Sequence, residues 1–399
     1  MGEVSDSKSS LFPTYARYPM AMVKGEGSRL WDDQGNRYLD LMTGLAVTSL
    51  GHSPAKVKEK LVEQLDDLWH VSNLFHIPNQ EKLARLLTDN SCMDAVFFCN
   101  SGAEANEAAI KLARRYHQKV LGTGRYEIIT FKQSFHGRTL ATLTATGQEK
   151  VQDGFQPLPQ GFVYAPFNDA EALAGYINDK TCAIMLEMVQ AEGGVRIADP
   201  AFVKEVAKLC KEHNLLLIVD EIQTGLGRTG KLFAYEHYGI EPDIITLAKA
   251  LGSGFPIGAM LGKEKLTEAF TAGSHGSTFG GTPIATAAGI ATVEIIVGDK
   301  LSDRAAEMGQ YAVEKLKAKL EGHPMVKEIR AMGLLIGIEC TRPVADLIAE
   351  IHGHGVLVVS AGPEVIRLLP SLLVTHEELD EGIEVIGKVL AGHTMAVNE

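Results

Sequence analysis

Cysteine is scarce in this chain of 399 residues. The five thiols, Cys92, Cys99, Cys182, Cys210 and Cys340, are odd in number, lack CxxC spacing and mostly sit in apolar runs. That argues against a disulfide framework or a zinc site and predicts buried thiols in a reducing compartment. Basic charge is also short: 38 Lys and Arg against 50 Asp and Glu leave a net charge of −12. Such a surface repels nucleic acid and anionic membrane, although a local basic pocket for a small anion stays open. No apolar run approaches the ~18–20 residues of a membrane-spanning helix. Residues 1–10 have no apolar stretch of a signal peptide, and Glu3 and Asp6 speak against a transit peptide. There is no internal repeat and no long low-complexity segment. A cytoplasmic protein without nucleic-acid or membrane partners is expected, with no metal site.

What is present is ordinary globular composition, 45% apolar and 22% charged. The length predicts two or three domains, or one large unit with an appendage, and is enough to bury a sizeable core without staples. In the middle of the chain, short apolar runs end in Gly-rich or polar turns and lead into helical patterns. Strands are predicted at 95–99, 127–131, 182–187, 215–221, 243–248 and 257–262, with helices at 103–117 and 201–213. Residues 215–221 (LLLIVDE) form a near-continuous apolar run, as expected of a strand buried on both faces. Alternation of this kind implies βαβ units and a mostly parallel sheet with helices on both faces. The ends differ. Residues 27–41 read as a hairpin turning at 33–36. Strands at 334–339, 356–359 and 365–369 alternate with helices at 344–352 and 375–390, the last opening on a Thr375–Glu378 capping box. The expected division is a large α/β unit over 55–295 and a smaller α+β unit built from 1–54 and 296–399.

Three segments carry chemistry. Residues 100–116, NSGAEANEAAIKLARRY, place Ser101, Gly102 and Ala103 where a strand gives way to an Ala-rich helix. Small residues and free N–H groups there suit a phosphate, although Ser101 and Glu104 also fit a plain capping box. Residues 215–230 put Asp220 at the carboxyl end of a buried strand, where open parallel sheets bind ligands. A buried carboxylate needs a cationic or donor partner. That partner is either the N–H⁺ of a cofactor ring or an Arg such as Arg228. Residues 243–258, DIITLAKALGSGFPIG, put Lys249 between an apolar strand and a Gly-rich turn. In an apolar pocket a lysine becomes an imine-forming nucleophile; at a plain strand end it snorkels. Together the three supply partners for the phosphate, ring nitrogen and aldehyde of pyridoxal phosphate.

With these segments, the chain resembles the class III (ω-type) aminotransferases among the fold-type I pyridoxal-phosphate enzymes. The likeness extends through LFPTYAR at 11–17, GLAVTSLGHSP at 44–54, WHVSNLF at 69–75, SFHGRT at 134–139, HGSTFGG at 275–281 and VIRLLPSLLV at 365–374. It implies a seven-stranded, mostly parallel sheet and a homodimer with shared active sites. Residue by residue, Lys249 matches the lysine that carries the cofactor and shuttles the proton. Asp220 matches the partner of the ring nitrogen, and Ser101, Gly102 and Ala103 match the phosphate cup. Phe135 matches the stacking aromatic, and Glu221, Ile222 and Gln223 follow along the ring. Thr278 matches a phosphate ligand brought by the neighbouring subunit, with Ser277 beside the substrate. Arg138 matches the grip on the substrate carboxylate. Glu192 and Arg367 match a pair that switches between two kinds of acid, or else form a plain interface ion pair.

There are departures from the family pattern. The stretch usually reading QGEGG is here QAEGG at 190–194, and Thr282 replaces an Asn common after HGSTFGG. Leu45 stands about where relatives acting on ornithine carry a Tyr near the α-amine. That favours an acylated α-nitrogen in the donor. Ornithine, succinylornithine, N-succinyl-diaminopimelate and 4-aminobutyrate are rival donors. A mutase or racemase on the same fold and a non-enzymatic scaffold are the outsiders. No strand–GxGxxG–helix unit supports a nucleotide-binding protein.

Overall fold

The computed structural model describes residues 10–395; the reading of the start falls outside them except for Ser10. A seven-stranded sheet forms the centre. Its spatial order is Ala95–Cys99, Gly258–Gly262, Ile244–Leu247, Leu216–Asp220, Thr181–Leu186, Glu127–Phe131 and Phe162–Ala165. Strand Gly258–Gly262 runs antiparallel to both neighbours, and the other pairs are parallel. Every residue of Thr181–Leu186, Leu216–Asp220 and Ile244–Leu247 is buried, which is why those stretches read as unbroken apolar runs. Strand Phe162–Ala165, with only one buried residue, was not foreseen, and the reversal of Gly258–Gly262 carries no sequence signature. The five cysteines are free, four of them buried. No helix among the described residues is long and apolar enough to cross a membrane.

The chain ends build two further sheets. One joins Met22–Glu26, Arg29–Asp32 and Arg37–Asp40 to Val356–Leu357; the other has the order Val326–Met332, Leu335–Cys340, Val365–Leu368, Val359–Ser360. The expected hairpin turn at 33–36 forms, with Asp32 accepting from the Gln34 and Asn36 amides at 3.0 and 2.8 Å. The expected capping box forms as well. Thr375 N donates to Glu378 at 3.0 Å, and Glu378 N donates to Thr375 Oγ1 at 3.2 Å. The helix behind it runs His376–Met395. Helix Pro283–Gly298 is apolar nearly all round and packs against helices Ala55–Asp67 and Pro78–Asp89, so it lies inside the molecule.

Candidate active site

Parallel strands deliver their carboxyl ends to one edge of the large sheet, and there a cavity of about 440 Å³ opens. The reversed strand contributes its start instead, so Phe255, Pro256 and Ile257 line the same cavity. Ser101 caps helix Gly102–Arg115 in extended conformation, its hydroxyl accepting from Glu104 N at 3.3 Å. The Glu104 carboxylate reaches back to Asn100 N at 2.7 Å. The first N–H groups of the helix, at Gly102 and Ala103, have no intrahelical partner, and both residues line the cavity. The two readings of this segment therefore coexist: the Ser101 cap, with Glu104 holding Asn100 N rather than the Ser101 amide, fixes the turn that presents the free amides. Gly102 has to be bare, because a Cβ there would meet the Ile222 side chain at 2.8 Å.

Asp220 forms the floor, only 4% exposed. Its Oδ2 accepts from Asn106 Nδ2 and His136 Nδ1, each at 2.8 Å, and its Oδ1 accepts from Ile222 N at 3.0 Å. Asn106 is held in turn by Thr246 Oγ1 at 2.7 Å and donates to the His136 carbonyl at 2.8 Å. Among the described residues no Lys or Arg pairs with Asp220. Arg228 is not its partner: fully buried, it donates to the carbonyls of Leu334 and Pro370 and to Ser49 Oγ, and burial lowers its pKa to about 9.

Lys249 follows strand Ile244–Leu247 with φ of 42°, a left-handed conformation that a lysine holds only where its surroundings impose it. It lines the cavity, and burial holds its ammonium below the usual lysine range, against the opposing pull of Glu192, Asp220 and Glu187. Phe135 and Ile222 line the walls, and Arg138 lies at the exposed rim with its guanidinium 5.5 Å from the Phe135 ring. Among the described residues Arg138 makes no ion pair.

Arg367 is the opposite case, fully buried and occupied. One of its amino groups donates to Glu192 Oε1 at 2.7 Å, Gln223 Oε1 at 2.9 Å and the Ala191 carbonyl at 3.0 Å. Burial raises the Glu192 pKa, but the charge and hydrogen bond of Arg367 outweigh that and hold it below the ordinary carboxylate range. Glu192 and Arg367 adjoin the cavity through Gln223, which lines it and donates to Glu192 at 3.2 Å.

Several expected residues stand elsewhere. Glu221 turns away from the cavity: its carboxylate accepts from Tyr235 N at 2.9 Å and Thr224 Oγ1, and burial raises its pKa to about 7. Ser277 and Thr278 do not line the cavity; half-buried Ser277 adjoins it through its hydroxyl, which accepts from the cavity-lining Asn100 Nδ2 at 3.2 Å, and exposed Thr278 follows it, with Asn73 Nδ2 tying the Ser277 and Gly280 carbonyls to segment 69–75, both at 3.0 Å. Of segment 44–47, Val47 reaches the cavity and Leu45 does not.

Sequence reading missed Asn106, Thr246 and Glu187; His136, within SFHGRT at 134–139, is buried and hydrogen-bonded to Asp220. Glu187 lines the cavity and accepts from Phe135 N at 3.0 Å, and burial followed by the nearby Asp220 charge pushes its pKa well up. A signal existed: Glu187 ends an apolar strand just as Asp220 does, and Asn106 is the one amide on an alanine face.

The residues present fit pyridoxal phosphate. Two free amides at a helix start can take a phosphate. A buried carboxylate without an Arg or Lys partner can hold a ring N–H⁺. A buried lysine amine, an aromatic wall and an aliphatic wall complete the set.

Comparison with known proteins agrees. Residues 13–390 match the family model described as aminotransferase class-III. An acetylornithine aminotransferase of Oceanobacillus iheyensis is 51% identical over 397 residues, covering 99% of this chain and all of that protein. One from Bacillus subtilis is 52% identical over 98% of this chain and 100% of its own length. Among solved structures, an ornithine aminotransferase from Toxoplasma gondii, with partial occupancy of pyridoxal phosphate at its active site, superimposes with a TM-score of 0.94. It is 32% identical and covers 98% of this chain and 94% of its own. A thermostable (S)-enantioselective ω-transaminase from Thermomicrobium roseum gives 0.88 at 31% identity, covering 94% and 93%.

Proposed function

The chain belongs to the class-III aminotransferases, pyridoxal-phosphate enzymes of fold type I, and from that premise we propose that it transfers the distal amino group of N2-acetyl-L-ornithine to 2-oxoglutarate. The products are N-acetyl-L-glutamate 5-semialdehyde and L-glutamate, a step of arginine synthesis. The donor is taken from the relatives at about half identity over the full chain. The observation that carries the reaction type is the contrast between two guanidinium groups. Arg138 at the rim is unpaired among the described residues, whereas Arg367 inside is capped by Glu192. An enzyme that alternates between a donor with one distant carboxylate and an acceptor with a second, nearer one needs this combination.

The bound cofactor supplies an aldehyde that takes up the amino group and a ring that accepts electrons. Gly102 and Ala103 amides and Ser101 hold its phosphate, with Thr278 of a second copy completing the cup. Asp220, fixed by Asn106, His136 and Ile222 N, keeps the ring nitrogen protonated. Phe135, Ile222 and Gln223, which line the cavity, would wall in the ring. Lys249, its amine desolvated in the cavity, would take the proton from the substrate carbon and return it. Arg138 grips the far carboxylate of the donor in bidentate fashion. When the acceptor enters, Glu192 leaves Arg367 and the guanidinium binds the nearer carboxylate.

The same reading makes the enzyme a homodimer in the cytoplasm, with units over 55–295 and over 1–54 with 296–399. Trp69, Leu74, Phe75 and Phe279 are 60% exposed or more on the surface that carries Thr278, an apolar area suited to a second copy. All strands of the central sheet fall within 55–295.

Steady-state rates with 2-oxoglutarate and each amine donor test the proposal. Acetylornithine should exceed ornithine and 4-aminobutyrate by at least about tenfold in kcat/KM. Ornithine, the donor named for the Toxoplasma structure, is the second reading; a higher kcat/KM for ornithine would establish it over the first, and comparable rates would leave only a broad ω-aminotransferase.

A further inference from the structure

Segment 189–197 is a short hairpin, Val189 facing Ile197 and Gln190 facing Arg196. Its foot lines the cavity at Val189 and its tip carries Glu192. The tip is half-buried at Glu192 and Gly193, buried at Gly194 and Val195, and conformationally demanding: Gly194 has φ of 108° and Val195, a β-branched residue, φ of 53°. Something outside the hairpin has to hold that shape, and the sheet of the chain ends supplies it. In that sheet Arg330, Gly337 and Arg367 stand in one row across three strands, Arg330 opposite Gly337 and Gly337 opposite Arg367.

All three meet the hairpin tip. Arg367 donates to the Ala191 carbonyl and to Glu192. Arg330 Nε donates to the Gly194 and Val195 carbonyls at 3.0 and 2.9 Å, and its second amino group returns to Gly194. Its remaining amino group is anchored by Glu328 and Glu339 of the same sheet. Between the arginines, Gly337 leaves room for Val195: a Cβ there would come within 2.9 Å of the valine Cβ.

We propose that Arg330 and Gly337 are positioning residues for the exchange between donor and acceptor. They clamp the hairpin backbone at 194–195 so that Glu192 can leave Arg367 by side-chain rotation alone, without movement of the main chain. This rests on the reading of Glu192 and Arg367 as the acid switch. The row fixes both ends of the ion pair to one rigid sheet, which sets how firmly Arg367 is capped while the donor is bound. Loosening the tip uncaps Arg367 and makes the donor meet a free internal guanidinium. The acceptor, which needs that guanidinium free, loses nothing.

The test follows each half-reaction separately on the holoenzyme by stopped-flow absorbance, for Arg330→Met, Arg330→Lys, Gly337→Ala and Glu192→Ala. Hydrogen exchange of the amides of 190–196 is measured on the same proteins. The expected result for Arg330→Met and Gly337→Ala is a KM for acetylornithine raised about three- to fivefold, with the KM for 2-oxoglutarate unchanged or lower and kcat kept within about twofold. Exchange at 190–196 should quicken, and Arg330→Lys, which keeps one donor and the charge, should lie between. Parallel losses in both half-reactions, or unchanged KM values despite faster exchange, would overturn the clamp. Gly337→Ala keeps the test open if Arg330→Met fails to fold. Glu192→Ala separates the two ideas. If it shifts the two KM values apart while the row variants do not, the clamp is wrong and the switch stands. If Glu192→Ala itself leaves them together, the switch reading falls and the clamp with it.

Discussion

The cavity floor and the seam between the central sheet and the chain-end sheet solve opposite problems. On the floor, Asp220 and Lys249 sit at the ends of adjacent fully buried strands. Nothing there has to move, so hydrogen bonds from Asn106, His136 and Ile222 N hold Asp220 rigidly. At the seam, Glu192 and Arg367 form a pair that must be strong enough to cap a buried charge and weak enough to open. Fixed groups carry the chemistry common to both substrates, and one exchangeable ion pair carries the difference between them.

Substitutions on either side test that contrast. Lys249→Ala should have the largest effect, lowering both half-reactions by about 10⁴-fold, because the proton shuttle serves each of them. The visible absorbance of the lysine-bound cofactor should vanish from the purified protein. Asp220→Asn keeps the shape of the floor but removes its charge, and should lower both half-reactions together by about 10²–10³-fold in single-turnover measurements. A selective loss in one half would blur the distinction between floor and seam.

Behind the floor, Glu221 gives a stability effect with little change in chemistry. Burial raises its pKa from 4.5 to about 7 in the folded chain. Between those values the unfolded chain has released the proton while the folded chain retains it, so stability falls as pH rises through that window and is flat above it. Glu221→Gln removes the penalty. Its gain over the parent should grow from under about 1 kcal/mol at pH 5 to about 3 kcal/mol at pH 8, read as a widening Tm difference with kcat within about twofold. Smallest, and confined to the seam, Glu192→Ala should raise the KM for acetylornithine about tenfold while leaving that for 2-oxoglutarate unchanged or lower. Equal changes in both would make the pair a plain structural bridge.

Most of the floor could be read from the chain because its residues are local in sequence. LLLIVD announces a strand buried on both faces with a carboxylate at its end. Ser101 and Glu104 announce a helix start, and the structure forms both. The hold on Asp220 was not legible, since its partners Asn106 and His136, and Thr246 behind Asn106, come from three different parts of the chain and meet only when the sheet assembles. The expectation for Glu221 shows the limit of adjacency. Next to Asp220 in sequence, it faces the other side of the strand end, as alternation in a strand requires. Arg228 likewise lies a few residues on but reaches Ser49, Leu334 and Pro370 instead.

Local sequence was enough for the alternation of strand and helix, the ordinary composition of a globular enzyme, and the three turns that present amides, carboxylate and amine. Those features follow from local periodicity, capping and burial, each acting over a few residues. Folding in three dimensions settled the rest: one strand of the sheet is reversed, Arg138 makes no ion pair among the described residues while Arg367 is capped, and Arg330, Gly337 and Arg367 share a row against the hairpin at 189–197. The contacts of Arg367 with Glu192 and of Arg330 with Gly194 join residues more than a hundred positions apart, and all of these relations exist only once the strands have found their register.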